Sequence, residues 1–135
     1  MKKKILIFGG TGLVGSTFIN YSKDIFKISY TYNENPKDFL HMSSNKINLL
    51  LERKKIPSLI NQFNPDVIIN TVAYPSVDFC ETNPDLANEL HVNVIKDIVD
   101  IASKNNCKVI HLSTDAVFEG ELDKKYVEDD SPKPV

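Results

Sequence analysis

Three glycines recur at a spacing of three in the run Gly9-Gly10-Thr11-Gly12-Leu13-Val14-Gly15. Each spacing has a mechanical use. The first glycine permits a tight turn out of a strand, the second lets backbone approach a diphosphate, and the third lets the following helix pack closely on the sheet. A helix opening at that point offers unpaired N–H groups and the positive end of its dipole to phosphate oxygens. The pattern follows an apolar strand-like run, Lys4-Ile5-Leu6-Ile7-Phe8, and precedes a helical one, which is the context a dinucleotide site needs. No lysine follows Gly15, so the turn is not a Walker phosphate loop.

The nucleotide's far end would meet the tip of the second strand, where an acidic residue ordinarily holds the adenosine ribose hydroxyls. This sequence has Thr31-Tyr32-Asn33 there, with Glu34 the nearest acid and Lys37 the nearest cation. With no carboxylate at the tip a 2′-phosphate meets no repulsion. NADP and NAD are both expected to fit, with the balance toward NADPH.

These residues need a scaffold, and the hydrophobic pattern supplies one. Strand-like and helix-like segments alternate, which predicts a Rossmann-like α/β fold with a doubly wound parallel sheet. The pattern places strands over 4–8, 26–32, 46–50, 67–73 and 108–113. Helices are expected over 11–21, from Pro57 to Phe63, and from Pro84 onward with Leu86, Leu90, Val94, Ile98 and Ala102 on one face. In the first helix Leu13, Val14, Phe18 and Ile19 are expected to face the core. Asn83 is expected to cap the long helix, and residues 33–44 to form a loop. Residues 1–118 are read as the NAD(P)-binding domain and 119–135 as an acidic connecting segment.

Composition narrows the function classes. The chain has 135 residues, 41% hydrophobic and 25% charged, with a net charge of −2, as an ordinary globular domain has. No basic field points to nucleic acid or an anionic membrane. Cys80 and Cys107 lack metal-ligand spacing and read as reduced thiols. The lysine lead-in is followed by an apolar run too short for export or membrane spanning, so a cytoplasmic location is expected. His41, His91 and His111 show no metal spacing and are expected to be structural, with no metal site. Asp78 and Glu81 read as a loop-closing pair.

Several motifs form an ordered set: the glycine run, Asn70-Thr71-Val72-Ala73-Tyr74, Val77-Asp78-Phe79-Cys80-Glu81, Ser113-Thr114-Asp115-Ala116-Val117-Phe118-Glu119-Gly120, and the tail Tyr126 to Val135. The set resembles the extended short-chain dehydrogenase/reductases, and within them the dTDP-4-dehydrorhamnose reductase family, over the N-terminal half of a member. The resemblance implies reduction of the 4-keto group of a nucleotide-linked 6-deoxysugar in dTDP-rhamnose biosynthesis. It places Gly9, Thr11, Gly12, Leu13, Val14 and Gly15 at the pyrophosphate, Tyr32 at the adenosine ribose, and Asn48 and Leu49 near the adenine. Val72, Ala73, Tyr74, Pro75 and Ser113 would lie on the nicotinamide side. Thr114 would donate to the substrate carbonyl as a catalytic residue, with Asp115 beside it. Ala116, Asn48 and Tyr32 depart from the family's usual aromatic and acidic residues.

The same resemblance implies a tyrosine with a lysine four residues later, because ammonium on the same helical face favours the phenolate. The residues four beyond Tyr21, Tyr30, Tyr32, Tyr74 and Tyr126 are Ile25, Glu34, Pro36, Asp78 and Asp130. None is lysine, and these 135 residues alone are expected to be inactive. The chain therefore reads as the cofactor-binding part of a reductase. The alternative is a non-catalytic NADP-binding module similar to the beta subunit of methionine adenosyltransferase. A homo-oligomer, or association through an exposed sheet edge, is expected.

Overall fold

Lys4–Phe8 (β1) sends alternate side chains to opposite faces, as a central strand must. Leu6 and Phe8 enter one buried cluster, and Ile5 and Ile7 the other. Both faces are apolar, so the strand has to be covered on both sides. The structure, a computed structural model, describes residues 1–39, 42–121 and 123–134. His41, with Leu40 of the loop expected over 33–44 and Leu122 and Val135 of the tail, lies outside the described residues.

β1 is flanked by Lys27–Tyr32 (β2) and Val67–Asn70 (β4), with Ser43–Lys46 (β3) and Lys108–His111 (β5) outside them. The order is β3-β2-β1-β4-β5, and all four pairings are parallel. This is the expected doubly wound arrangement. The connections diverge to left and right of β1, which opens a crevice at the carboxyl ends of β1 and β4.

Leu13–Ser22 (α1) covers one face, with Ile19 buried and Phe18 packed against the cluster of Ile5, Ile7, Ile28, Tyr30 and Ile69. Only the Phe18 and Ile19 part of the expected apolar face turns inward. Leu13 and Val14 are 85% and 52% exposed, and Gly15 and Ser16 are buried instead. The backbone runs too near the glycine turn for larger residues: a Cβ on Gly15 would lie 2.4 Å from the Gly9 carbonyl oxygen.

Ile56–Phe63 (α2) and Val94–Lys104 (α5) cover the other face, through Ile56, Ile60, Val94, Ile98 and Ala102. Pro57 sits in the first turn of α2, where its missing N–H costs nothing, and Asn64 ends that helix in a left-handed conformation at φ 50°.

Several expected boundaries move. The third strand lies at 43–46 rather than 46–50: the Ile47 amide still donates to the Tyr32 carbonyl at 2.9 Å, but Asn48 then closes a turn on itself, and Ile47 and Leu49 are buried beyond the strand. β4 ends at Asn70 and β5 at His111, each before the residues that carry polar groups to the crevice. Val77–Thr82 (α3) is an unexpected short helix, capped by Ser76 Oγ accepting from the Phe79 amide at 3.2 Å. Asp78 and Glu81 stand exposed on it rather than closing a loop.

Pro84–Asn88 (α4) joins α5 through a π turn, Glu89–Asn93. Asn83 does not cap α4 with its side chain; its Nδ2 donates instead to the Phe79 carbonyl at the end of α3. Leu90, Val94, Ile98 and Ala102 are buried as expected, while Leu86 remains 42% exposed, one turn before the helix reaches the sheet. In the tail, Tyr126 stacks on Phe118 at 4.4 Å and the Lys133 amide donates to the Val117 carbonyl at 2.8 Å.

Candidate functional site: a crevice at the glycine turn

The glycine turn is held from both neighbouring strands. The Gly9 amide donates to Thr31 Oγ1 at 3.2 Å and the Gly10 amide to the Thr31 carbonyl at 2.9 Å. From the other side, Thr71 Oγ1 lies 3.0 Å from the Phe8 carbonyl and 3.1 Å from that of Gly9, and can donate to either. The two threonines thus clamp the end of β1 between β2 and β4. Gly9 has φ +84°, and a Cβ there would also press on Thr71 Oγ1 at 2.7 Å and Val72 Cγ2 at 2.9 Å. Only glycine fits that position.

Gly12 differs. It is the N-cap of α1, has ordinary backbone angles of φ −68° and ψ 174°, and would bring a Cβ only to 3.4 Å from the Gly9 oxygen, an ordinary contact. No side chain caps the helix. The first-turn amides of an α-helix have no intrahelical acceptor, and two of the residues that carry them here, Leu13 and Val14, are exposed. The arrangement can accept an anionic group with no barrier from the protein itself.

A cleft of about 360 Å³ opens beside this turn. Gly9, Thr11, Gly12, Tyr32, Asn48, Leu49, Val72, Ala73 and Tyr74 line it among the residues singled out from sequence. Leu13, Val14, Gly15, Pro75, Ser113, Thr114 and Asp115 are not in its wall. Gly15 is buried under the turn, and Ser113, Thr114 and Asp115 are exposed just beyond β5. The Ala116 amide donates to Thr114 Oγ1 at 3.2 Å, which caps a short 3-10 turn over Asp115–Val117. The Thr114 hydroxyl in turn reaches Asp115 Oδ1 at 3.3 Å.

The floor of the cleft is made by the turn after β3. Asn48 Oδ1 accepts from the Leu50 and Leu51 amides at 3.0 and 3.1 Å, and the Asn48 amide donates to Glu52 Oε2 at 3.0 Å. The Lys55 ammonium, then the Asn48 amide, hold the Glu52 carboxyl below the usual carboxylate range. Opposite lies the segment after β4, where Tyr74 packs on Phe79 at 4.7 Å and its amide donates to His91 Nε2 at 2.8 Å.

Sequence reasoning did not single out Thr31, Asn33, Ile47, Leu50, Thr71 or Leu90, which also line the cleft. The one signal for Thr31 and Thr71 is a hydroxyl near the end of a buried strand, where it can satisfy backbone groups left unpaired. Lys37, considered for a 2′-phosphate, is exposed and donates to Ser16 Oγ at 3.2 Å on α1. Among the described residues no group of three or more His, Cys, Asp or Glu is placed to hold a metal, and no helix is long and apolar enough to cross a membrane.

Known proteins share this framework. A probable low-salt glycan biosynthesis reductase, Agl14, of Haloferax volcanii is 29% identical over 133 residues, covering 96% of this chain and 43% of that protein. A dTDP-4-dehydrorhamnose reductase of Salmonella typhimurium is 30% identical over 131 residues, covering 97% of this chain and 41% of that protein. The chain thus spans less than half the length of these relatives.

Among solved structures, a hypothetical dTDP-4-dehydrorhamnose reductase from Sulfolobus tokodaii superposes with a TM-score of 0.85 at 28% identity, over 99% of this chain and 46% of that one. A dTDP-4-dehydrorhamnose reductase of Bacillus anthracis in complex with NADP shares the fold, with a TM-score of 0.81 at 22% identity over 99% of this chain and 44% of that one. The profile of the RmlD substrate binding domain family matches residues 2–135, from the lysine lead-in through the tail, and this chain therefore belongs to that family.

Proposed function

We propose that this chain is the cofactor-binding part of an NAD(P)H-dependent reductase acting on a nucleotide-linked 4-keto-6-deoxysugar, as a dTDP-4-dehydrorhamnose reductase does. The observation that carries the reading is the uncapped first turn of α1 beside an open Gly12. Gly9, Gly10 and Gly15 are required by the protein's own contacts, whereas Gly12 has no such internal requirement. A group approaching from outside, such as a diphosphate, accounts for it. The Bacillus anthracis relative, solved with NADP, supports the same choice of ligand.

In this reading Gly12 and the amides of Leu13 and Val14 meet the diphosphate, whose charge the helix end favours. Tyr32 and Asn33 border the adenosine ribose, and Leu49 offers an apolar floor to the adenine, with Asn48 Nδ2 available because Oδ1 is used within its own turn. Val72, Ala73, Tyr74 and Pro75 stand on the nicotinamide side, with Ser113 farther out. When bound, the nicotinamide supplies hydride. Thr114 orients a substrate carbonyl through its hydroxyl, which would leave Asp115 Oδ1 to do so.

NADPH is favoured over NADH, since β2 ends at Tyr32 and Asn33 follows it, with no carboxylate at either position. Residues 1–118 form the binding domain and 119–135 connect it to what completes the site. The protein works in the cytoplasm. It self-associates through the β5 edge, where Ile110 and Leu112 are 50% and 43% exposed.

Fluorescence titration with NADPH and NADH tests the cofactor reading. Saturable binding of NADPH at micromolar concentration, tighter than NADH, is expected; no saturation with either at millimolar concentration refutes it.

A further inference from the structure

We infer that His91 is a pH-dependent positioning residue for the cleft: its neutral imidazole holds the Tyr74 backbone amide, and protonation releases the 73–75 segment that forms the cleft wall. The binding readout rests on the cofactor reading above; the contact itself does not.

The observation is a hydrogen bond of defined direction. A backbone N–H only donates, so His91 Nε2, 2.8 Å from the Tyr74 nitrogen, must accept and must carry no proton. An imidazolium has no acceptor to offer, and in its place two N–H groups would face each other. The contact therefore exists in one protonation state of His91 and is lost in the other.

The surroundings make this a hinge point rather than an incidental contact. His91 lies in the π turn, a wide turn of a kind that concentrates at functional positions. The turn is pinned on its far side: Glu89 is bound by Arg53 and by Asn93 Nδ2, and Arg53 also holds Asp97 of α5. The neighbouring Leu90 reaches both the core and the cleft wall. His91 thus extends from a fixed base to a segment outside any helix or strand.

That segment is otherwise tied by packing and one long thiol contact, with Tyr74 resting against the core cluster. The Tyr74 ring packs on Phe79 of α3 at 4.7 Å and on the His91 ring at 5.9 Å, and the Cys80 thiol lies 4.0 Å from the Tyr74 carbonyl.

The titratable groups around His91 leave its protonation without a compensating anion. From β5 comes His111, whose Nδ1 lies 3.1 Å from the Asn70 side-chain Nδ2 and, accepting from it, belongs to a neutral ring. From α3 come the Cys80 thiol near Tyr74, and Asp78 and Glu81, both exposed to solvent. From the segment itself comes the Tyr74 phenol. On its own turn, Glu89 is already committed to Arg53 and Asn93, and Arg53 and Asp97 to each other. Burial, then the neighbouring His91, push the His111 imidazole below its ordinary value. On the Asn70 side the wall keeps one long tie, from Asn70 Nδ2 to the Val72 carbonyl at 3.5 Å, which does not involve His91.

The experiment uses the full 135-residue chain and two independent readouts, NADPH affinity between about pH 5 and 8 and a 1H–15N spectrum over the same range. Wild type is expected to lose about three- to tenfold in affinity on acidification, the worth of one hydrogen bond. The Tyr74 amide resonance should titrate together with His91 Nε2. His91→Leu, lacking an acceptor, binds weakly at every pH. His91→Asn, with a neutral acceptor, recovers affinity over Leu and flattens the profile, while His111→Asn leaves the pH dependence in place.

A profile unchanged by His91→Asn, or one abolished by His111→Asn instead, overturns the inference, as does an Nε2 that carries a proton at pH 8. If NADPH binds at no pH while Tyr74 and His91 titrate together, the cofactor reading fails and the His91 contact stands. If Leu and Asn variants both fail to fold, the wild-type spectrum alone decides: a Tyr74 amide that does not move with His91 refutes the inference.

Discussion

Substituting alanine at Gly12 and at Gly15 should separate folding from binding, because the two glycines face different neighbours. At Gly15 the added methyl would lie 2.4 Å from the Gly9 oxygen and 2.9 Å from Gly10 Cα. Both are backbone atoms of the clamped turn, and the first contact is about 1 Å inside ordinary van der Waals distance. α1 must lift from the sheet and loosen Ile19 and Phe18. Overpacking of this kind costs about 1–3 kcal/mol, and for a chain of this length Tm should fall by roughly 3–5 °C per kcal/mol.

At Gly12 the methyl meets nothing closer than 3.4 Å. The entropy removed from the unfolded chain, about 0.4–1 kcal/mol, offsets a slightly poorer N-cap, so stability changes little. The methyl does stand where a diphosphate would approach. Losing one charge-assisted hydrogen bond, about 1.5–3 kcal/mol, weakens cofactor binding by an order of magnitude or more. Thermal melts and NADPH titration of both variants read the two effects. A Gly12→Ala protein that binds as tightly as wild type, or a Gly15→Ala protein that melts with it, refutes the reasoning.

Three further outcomes follow from other parts of the molecule. Cys107 is buried, and burial followed by Asp66 pushes its thiol pKa up; iodoacetamide at mildly alkaline pH should therefore modify Cys80 well before Cys107, as mass spectrometry of the peptides would show. Because His111 binds its proton less readily folded than unfolded, stability should hold above the ordinary imidazole value of 6.5 and decline as pH falls below it. Urea midpoints on both sides of that value test the sign, and His111→Asn should reduce the slope. The exposed β5 edge should give concentration-dependent self-association in light scattering, and Ile110→Lys should shift the equilibrium to monomer; a clean monomer at all concentrations contradicts it.

The parts of the fold that were legible in the sequence are those where one local requirement dominates. β1 and the core of β4 are continuous apolar runs, and only a strand buried on both faces uses such a run. The glycine spacing marked the turn, and the four-residue spacing of Leu90, Val94, Ile98 and Ala102 marked the buried face of α5.

The misplaced parts depend on contacts distant in sequence. Leu13 and Val14 look like core residues, yet the approach of α1 to Gly9 and Gly10 leaves room only for Gly15 and Ser16. β3 is built from Ser43-Ser44-Asn45-Lys46, a polar edge that pairs only because β2 presents its ladder. The apolar Ile47 and Leu49 beside it fill the core from a turn. α3 rests on one serine cap, and the π turn has no sequence pattern of its own. At the cleft, the glycines and Tyr74 were visible, but the clamp formed by Thr31 and Thr71 depends on strand register. That register becomes clear only once β2 and β4 are placed on either side of β1.

If the opening turn of α1 grips a dinucleotide diphosphate, titrating the 15N-labelled chain with NADP+ should move the amides of Gly12, Leu13 and Val14 most, with smaller shifts at Tyr32, Asn48 and Tyr74. Shifts confined to the opposite end of the sheet, around Asn64, Asp66 and Lys108, or no shifts at saturating NADP+, would contradict it.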